Sequence, residues 1–146
     1  MKKPIAVFAT AILTIGLAGV GAQSASANTW TQYCIDHQFD QTQTVAAPST
    51  ALYCQMQIMA SMNGYVGPIN GVMGVNSWKG VMQYLHDTWN YTGPVNGVPG
   101  VNTYKAMQRA GNAWDWFSTD VVVDGTLETK DWQAWAYVVR VYSTGW

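Results

Sequence analysis

One stretch of this chain occurs twice. Residues 65–79 read Y-V-G-P-I-N-G-V-M-G-V-N-S-W-K, and residues 91–105 read Y-T-G-P-V-N-G-V-P-G-V-N-T-Y-K. Nearly every position is identical or similar, so whatever the first copy folds into, the second must fold into as well. A weaker third copy, V-V-V-D-G-T-L-E-T-K-D-W, fills residues 121–132. There Asp124-Gly125 stands where Asn70-Gly71 and Asn96-Gly97 stand, and Trp132 falls where Trp78 and Tyr104 fall.

The unit has a readable physics. Asn-Gly and Asp-Gly favour positive φ and make tight turns. Gly67-Pro68 and Gly93-Pro94 break any preceding helix. Gly74 and Gly100 allow a close backbone approach before the next element. Asn76 or Ser77, Asn102 or Thr103, and Thr129 are then suitable N-caps for a helix after each loop.

The segments after the loops have helical periodicity. Trp78, Val81, Met82, Leu85 and Trp89 form one apolar stripe, and Tyr104, Met107, Gly111 and Trp114 form another. Trp132, Trp135, Ala136 and Val139 make a third, and Leu52, Met56 and Met59 mark a helix before the repeats, within residues 49–62. The β-branched run around Val138, Val139 and Val141 also suits a strand, but it continues the Trp132 stripe and is read as helix. The expected fold is all-α: a small bundle of four helices, joined by Asn/Asp-Gly turn loops.

The beginning of the chain has the order of a secretory signal peptide. Lys2 and Lys3 precede an uncharged run over residues 5–21, and Ala25-Ser26-Ala27 offers a small-residue cleavage site. The expected organisation is a signal peptide over residues 1–27, a polar arm over 28–48 and a helical domain over 49–146. Of seven basic residues, loss of Lys2 and Lys3 leaves five against eight acidic ones, a net charge of −3. With no basic stripe, nucleic acid and anionic membrane surfaces are poor partners. Export also fixes the reading of the two cysteines. An oxidising compartment makes a Cys34–Cys54 disulfide the default, pinning the arm to the first helix.

The run G-P-V-N-G-V-P-G-V-N-T-Y-K-A-M at residues 93–107, followed by V-V-D-G-T-L-E-T-K-D-W at 122–132, resembles the peptidoglycan-binding-domain-1 type of bacterial cell-wall module. That pattern has an Asp-Gly turn, a Gly three residues on, a Thr three after that and an Ala within the helix. Here Asn96-Gly97, Gly100, Thr103 and Ala106 stand in register, and Asp124-Gly125 supplies the second turn. Asn replaces the usual Asp in two turns, and Glu128 replaces the second Gly in the third copy. The resemblance spans about residues 65–139 and implies a compact helical fold. It also implies non-catalytic binding to peptidoglycan, through either its glycan strands or its stem peptides.

The expected ligand-binding residues are those of the repeated loops: Tyr65, Asn70 and Trp78 in the first copy, Tyr91, Asn96 and Tyr104 in the second. Ring faces with short amides suit glycans and peptides. The same rings also suit packing, and Trp78 and Tyr104 lean towards the core. No cofactor, metal site or catalytic group is expected. His37 and His86 are the two histidines, and they have no metal-ligand spacing. Asp124, Glu128 and Asp131 fit favourable placement at a helix start better than a catalytic pair. A secreted module that binds or inhibits another exported protein is the alternative function, with a small wall hydrolase behind it.

Overall fold

A computed structural model describes residues 29–38, 47–114 and 121–144, so the expected signal peptide lies outside the described residues. The chain runs through five helices in order: α1 (Gln32–Asp36), α2 (Thr50–Ser61), α3 (Val75–Thr88), α4 (Val101–Asn112) and α5 (Thr129–Thr144). The described residues form no extended strand, and the β-branched run near Val138 lies inside α5. The expected all-α bundle is therefore present, with one helix more than the stripes indicated. The additional helix is α1, five residues within the arm, whose Cys34 N–H donates to the Thr31 hydroxyl that caps it.

The stripes meet as their spacing requires. Leu52, Met56 and Met59 from α2 pack with Val81, Met82 and Leu85 from α3. Ala106, Met107 and Ala110 from α4 join Trp135, Val138 and Val139 from α5 in the same core. Each fully buried Val, Leu or Met side chain among them contributes roughly 1.5–3 kcal/mol relative to exposure. Two crossings bring backbones close. Gly80 lies against Ala60, and Gly111 against Ala134, so a methyl group on either glycine would overlap its neighbour.

The helix starts differ from the sequence expectation. Gly74 and Gly100, both extended, are the N-caps of α3 and α4, and Ser77 and Thr103 stand inside the first turn. Thr103 reaches back from there, its hydroxyl accepting from the Gly100 N–H at 3.3 Å. In the third copy Asp131 does the same for the Glu128 N–H at 2.7 Å. The reach of a side chain one turn into the helix replaces a cap at the boundary.

The cysteines are bonded, with Cα atoms 5.4 Å apart. Around them Cys34, Cys54, Ile58 and Ile69 form a second, small apolar cluster. The arm is also held by backbone pairing. The Thr31 N–H donates to the Ile69 carbonyl at 3.0 Å, and the Ile69 N–H donates to the Thr29 carbonyl at 2.8 Å.

Candidate functional site

Each loop is built around its tyrosine. The Tyr65 N–H donates to the Ala60 carbonyl at the end of α2, and the ring then folds across Gly67. Its hydroxyl donates to the Pro68 carbonyl at 2.7 Å. Tyr91 repeats the arrangement: its N–H donates to the Leu85 carbonyl, its ring covers Gly93, and its hydroxyl donates to the Pro94 carbonyl at 2.9 Å. Tyr65 and Tyr91 are 6% and 4% exposed, and the little surface each keeps lines the groove of its own repeat. Most of each expected binding ring is therefore packed into its own loop, and only an edge borders the groove. A ring that closes its own loop through Gly-Pro is committed before a ligand arrives.

The turns after the tyrosines have the expected backbone, with φ of 75° at Gly71, 81° at Gly97 and 86° at Gly125. Asn70 and Asn96 act locally. Their side-chain oxygens accept from the N–H groups of Val72 and Val98, each at 2.9 Å. Each turn glycine also packs on the first residue of the preceding helix: Gly71 on Thr50, Gly97 on Val75 and Gly125 on Val101. Seven residues into those helices stand Gln57, Met82 and Gln108.

Gln57 is fully buried, and its side-chain oxygen accepts from the N–H groups of Asn70 and Gly71, each at 2.8 Å. Its amide nitrogen donates to Asn70 Oδ1 at 3.1 Å and to the Val72 carbonyl at 2.8 Å. Gln108 holds the third turn in the same way. It accepts from the Gly125 N–H at 2.8 Å and donates to Asp124 Oδ1 at 3.0 Å and the Thr126 carbonyl at 2.9 Å. The Gln108 amide and the Thr126 N–H hold the Asp124 carboxyl below the usual carboxylate range. Met82, at the corresponding place, has no such chemistry to offer. The sequence signal for the first of these supports was a glutamine pair, Gln55 and Gln57, in the middle of an otherwise apolar helix.

Beside the tyrosines, the two strong repeats form matching grooves. The first encloses about 280 Å³ between Tyr65, Pro68, Asn70, Val72, Val75 and Asn76. The second encloses about 250 Å³ between Tyr91, Pro94, Val98, Val101 and Asn102. No charged side chain lines either one. Val72 and Val98 are 68% and 66% exposed at the lips, an unusual exposure for valine at two equivalent places. Of the expected site residues, Tyr65 and Asn70 line the first groove, Tyr91 lines the second, and Asn96 forms the turn beside it. Trp78 and Tyr104 are half-buried and pack against the main core instead. The valine lips and the Asn76/Asn102 pair are the groove features that the reading by ring type passed over.

A larger cavity of about 420 Å³ adjoins the first groove, between the Tyr65 loop and α3. Lys79 is the charged residue lining it. The pair His86–Asp87, 2.8 Å apart, lies exposed near the end of α3, where hydrogen bonds from His86 and Gln83 lower the Asp87 carboxyl. Among the described residues no group of His, Cys, Asp or Glu is arranged to hold a metal ion. No helix among them is long and apolar enough to cross a membrane. Compared with known protein families, with curated proteins and with solved structures, the chain matches none of them.

Proposed function

We propose that this chain is an exported, non-catalytic protein that binds peptidoglycan through its repeated loops. The observation that carries the reading is the pair of equivalent grooves, uncharged and lined by valine, proline and asparagine. Such a lining suits a neutral ligand with alternating apolar and amide groups, which describes acetamido sugars and peptide backbones alike. Two similar grooves on one bundle gain by avidity on a polymer that repeats its own chemistry. The signal-like beginning of the chain and its disulfide support an extracellular, wall-associated location.

The test is co-sedimentation with purified, insoluble peptidoglycan. Val72→Ser and Val98→Ser change exposed groove lips and leave the core intact, so helical circular dichroism stays that of the wild type. Each single change is expected to reduce retention several-fold, and the double change to reduce it by more than either. Equal sedimentation of the folded double variant removes the grooves from the binding surface. A wild type that never sediments removes the wall as ligand. The exposed valines, which include Val66, Val75, Val101 and Val122, then favour the second reading, a secreted module that binds or inhibits another protein.

A further inference from the structure

The 420 Å³ cavity beside the first loop has a chemistry the two grooves lack. Asn63, Asn76, Lys79 and Gln83 give it a polar wall, and Val66 and Val95 give it an apolar one. The Lys79 ammonium has no ion-pair partner among the described residues. Asp87 does not neutralise it: eight residues along the same helix is about 12 Å, and its carboxylate is already engaged by Gln83 and His86. The cavity therefore presents one unopposed positive charge beside carboxamides and aliphatic side chains.

The second copy shows how the same space is occupied when it is not left open. There Arg109 stands at the position of Gln83, and Trp89 and Asn90 stand at the positions of Asn63 and Gly64. The Arg109 guanidinium turns back onto the Trp89 carbonyl at 3.3 Å and the Asn90 carbonyl at 3.2 Å. A long cation thus crosses the counterpart space and ties it to its own loop. The shorter Gln83 turns instead to Asp87 and leaves the first copy accessible.

We propose that the cavity takes a carboxylate carried on a short aliphatic chain, such as the free acid of a peptide. Lys79 supplies the counter-charge, Asn76 an amide donor, and Val66 and Val95 cover the carbons next to the acid. A single lysine with apolar flanks matches a monoanion attached to hydrocarbon, whereas a phosphate asks for more donors and no alkyl contact. For the source of that acid the inference rests on the wall-binding reading; for its chemistry it stands on the cavity alone.

The experiment has two arms. In the first, N-acetyl-alanyl-alanine, its C-terminal amide and inorganic phosphate are titrated into the intact protein, and the backbone amide signals of Gly64, Gly67 and Gly80 are followed by NMR. The free acid is expected to shift them at least tenfold more effectively than the amide or phosphate. Lys79→Met, which keeps an unbranched stem, is expected to abolish that preference, and Lys79→Arg to restore it. In the second arm the protein is sedimented with native peptidoglycan and with peptidoglycan whose carboxyl groups have been amidated. Wild-type retention is expected to fall on the amidated wall to the level of Lys79→Met on the native wall, and the variant to be indifferent to amidation. Acid and amide that shift the three glycines equally, or Lys79→Met that keeps the preference, overturn the proposal. If the acid binds and the wild type ignores both walls, the cavity chemistry stands and the wall reading falls. If both walls retain the protein equally and the acid shifts nothing, the wall reading stands and the carboxylate site falls.

Discussion

Beneath the Asn70-Gly71 turn lies Gln57, beneath Asp124-Gly125 lies Gln108, and the corresponding residue of α3 is Met82. The outer two turns are anchored by buried hydrogen bonds, while the middle turn keeps the Asn96–Val98 bond and lacks an amide beneath it. Yet the loop sequences most alike are those of the first and middle copies. The likeness of a loop therefore says little about what supports it, because the support comes from the helix before. The structural unit is a helix, its loop and the first turn of the next helix, a longer stretch than the visible repeat.

The largest effect that bears on this comparison should come from Gln57. Gln57→Leu strands the Asn70 and Gly71 N–H groups, and a cost of about 3–4 kcal/mol is expected from lost bonds and orphaned buried donors. Gln108→Leu, which strands one turn N–H rather than two, should cost about 2–3 kcal/mol. Urea denaturation measures both, and values within the range of a surface change would show that the glutamines do not anchor the turns.

The middle turn offers the converse. Met82→Gln places an amide where its neighbours have one, and is expected to stay within about 1 kcal/mol of the wild type because new bonds offset lost apolar burial. Val81→Gln, one residue away in the same core, gains no such partner and should cost at least about 3 kcal/mol. If the two glutamines prove equally damaging, Met82 does not occupy the place of Gln57 and the threefold equivalence fails.

A smaller difference tests the feature that the two tyrosine loops share. Tyr65→Phe and Tyr91→Phe each remove one hydroxyl-to-carbonyl bond, to Pro68 or Pro94, and should each lower stability by about 1 kcal/mol. A tyrosine that loses nothing on this change is not closing its loop.

The smallest effect separates the first turn from the third by charge. Asp124 titrates and Asn70 does not. Because hydrogen bonds lower the Asp124 carboxyl, its contribution is present above the ordinary aspartate value near about pH 4 and is lost as the pH falls through the lowered value. Thermal melts of the wild type should therefore drop further between neutral and strongly acid pH than those of Asp124→Asn, by a few degrees at most. Asp87, also lowered, titrates in both proteins and cancels from the comparison. Identical acid sensitivity would mean that the Gln108–Asp124 bond does not depend on charge.

The repeat, the positive-φ turns and the four apolar stripes were legible in the sequence, because turn chemistry and period leave marks on neighbouring residues. The disulfide followed from two cysteines and an expected oxidising compartment. The buried ends of Tyr65 and Tyr91 were not legible. A tyrosine before Gly-Pro has the same composition whether its ring faces inward or outward, and the Pro68 and Pro94 carbonyls that fix it inward belong to the backbone. Helix starts were displaced by a few residues for a related reason. Asn, Ser and Thr at the boundary all have cap chemistry, and the extended glycines ahead of them leave no side-chain signal. Gln57 left a faint mark as one of two glutamines in an apolar helix, whereas Gln108 was hidden because an isolated glutamine in a polar helix ordinarily faces water.

The short pairing of the arm with Ile69 gives the molecule a head and a tail. Ile69 would otherwise present its N–H and carbonyl outward as an open edge, the kind of edge onto which a second chain can add. Residues 29 and 31 occupy that edge from within the same chain, and the Cys34–Cys54 link keeps them nearby. In arrays of like units, a terminal element that closes the first unit is what limits growth. The arm stands here as an end piece, filling that edge from within the same chain.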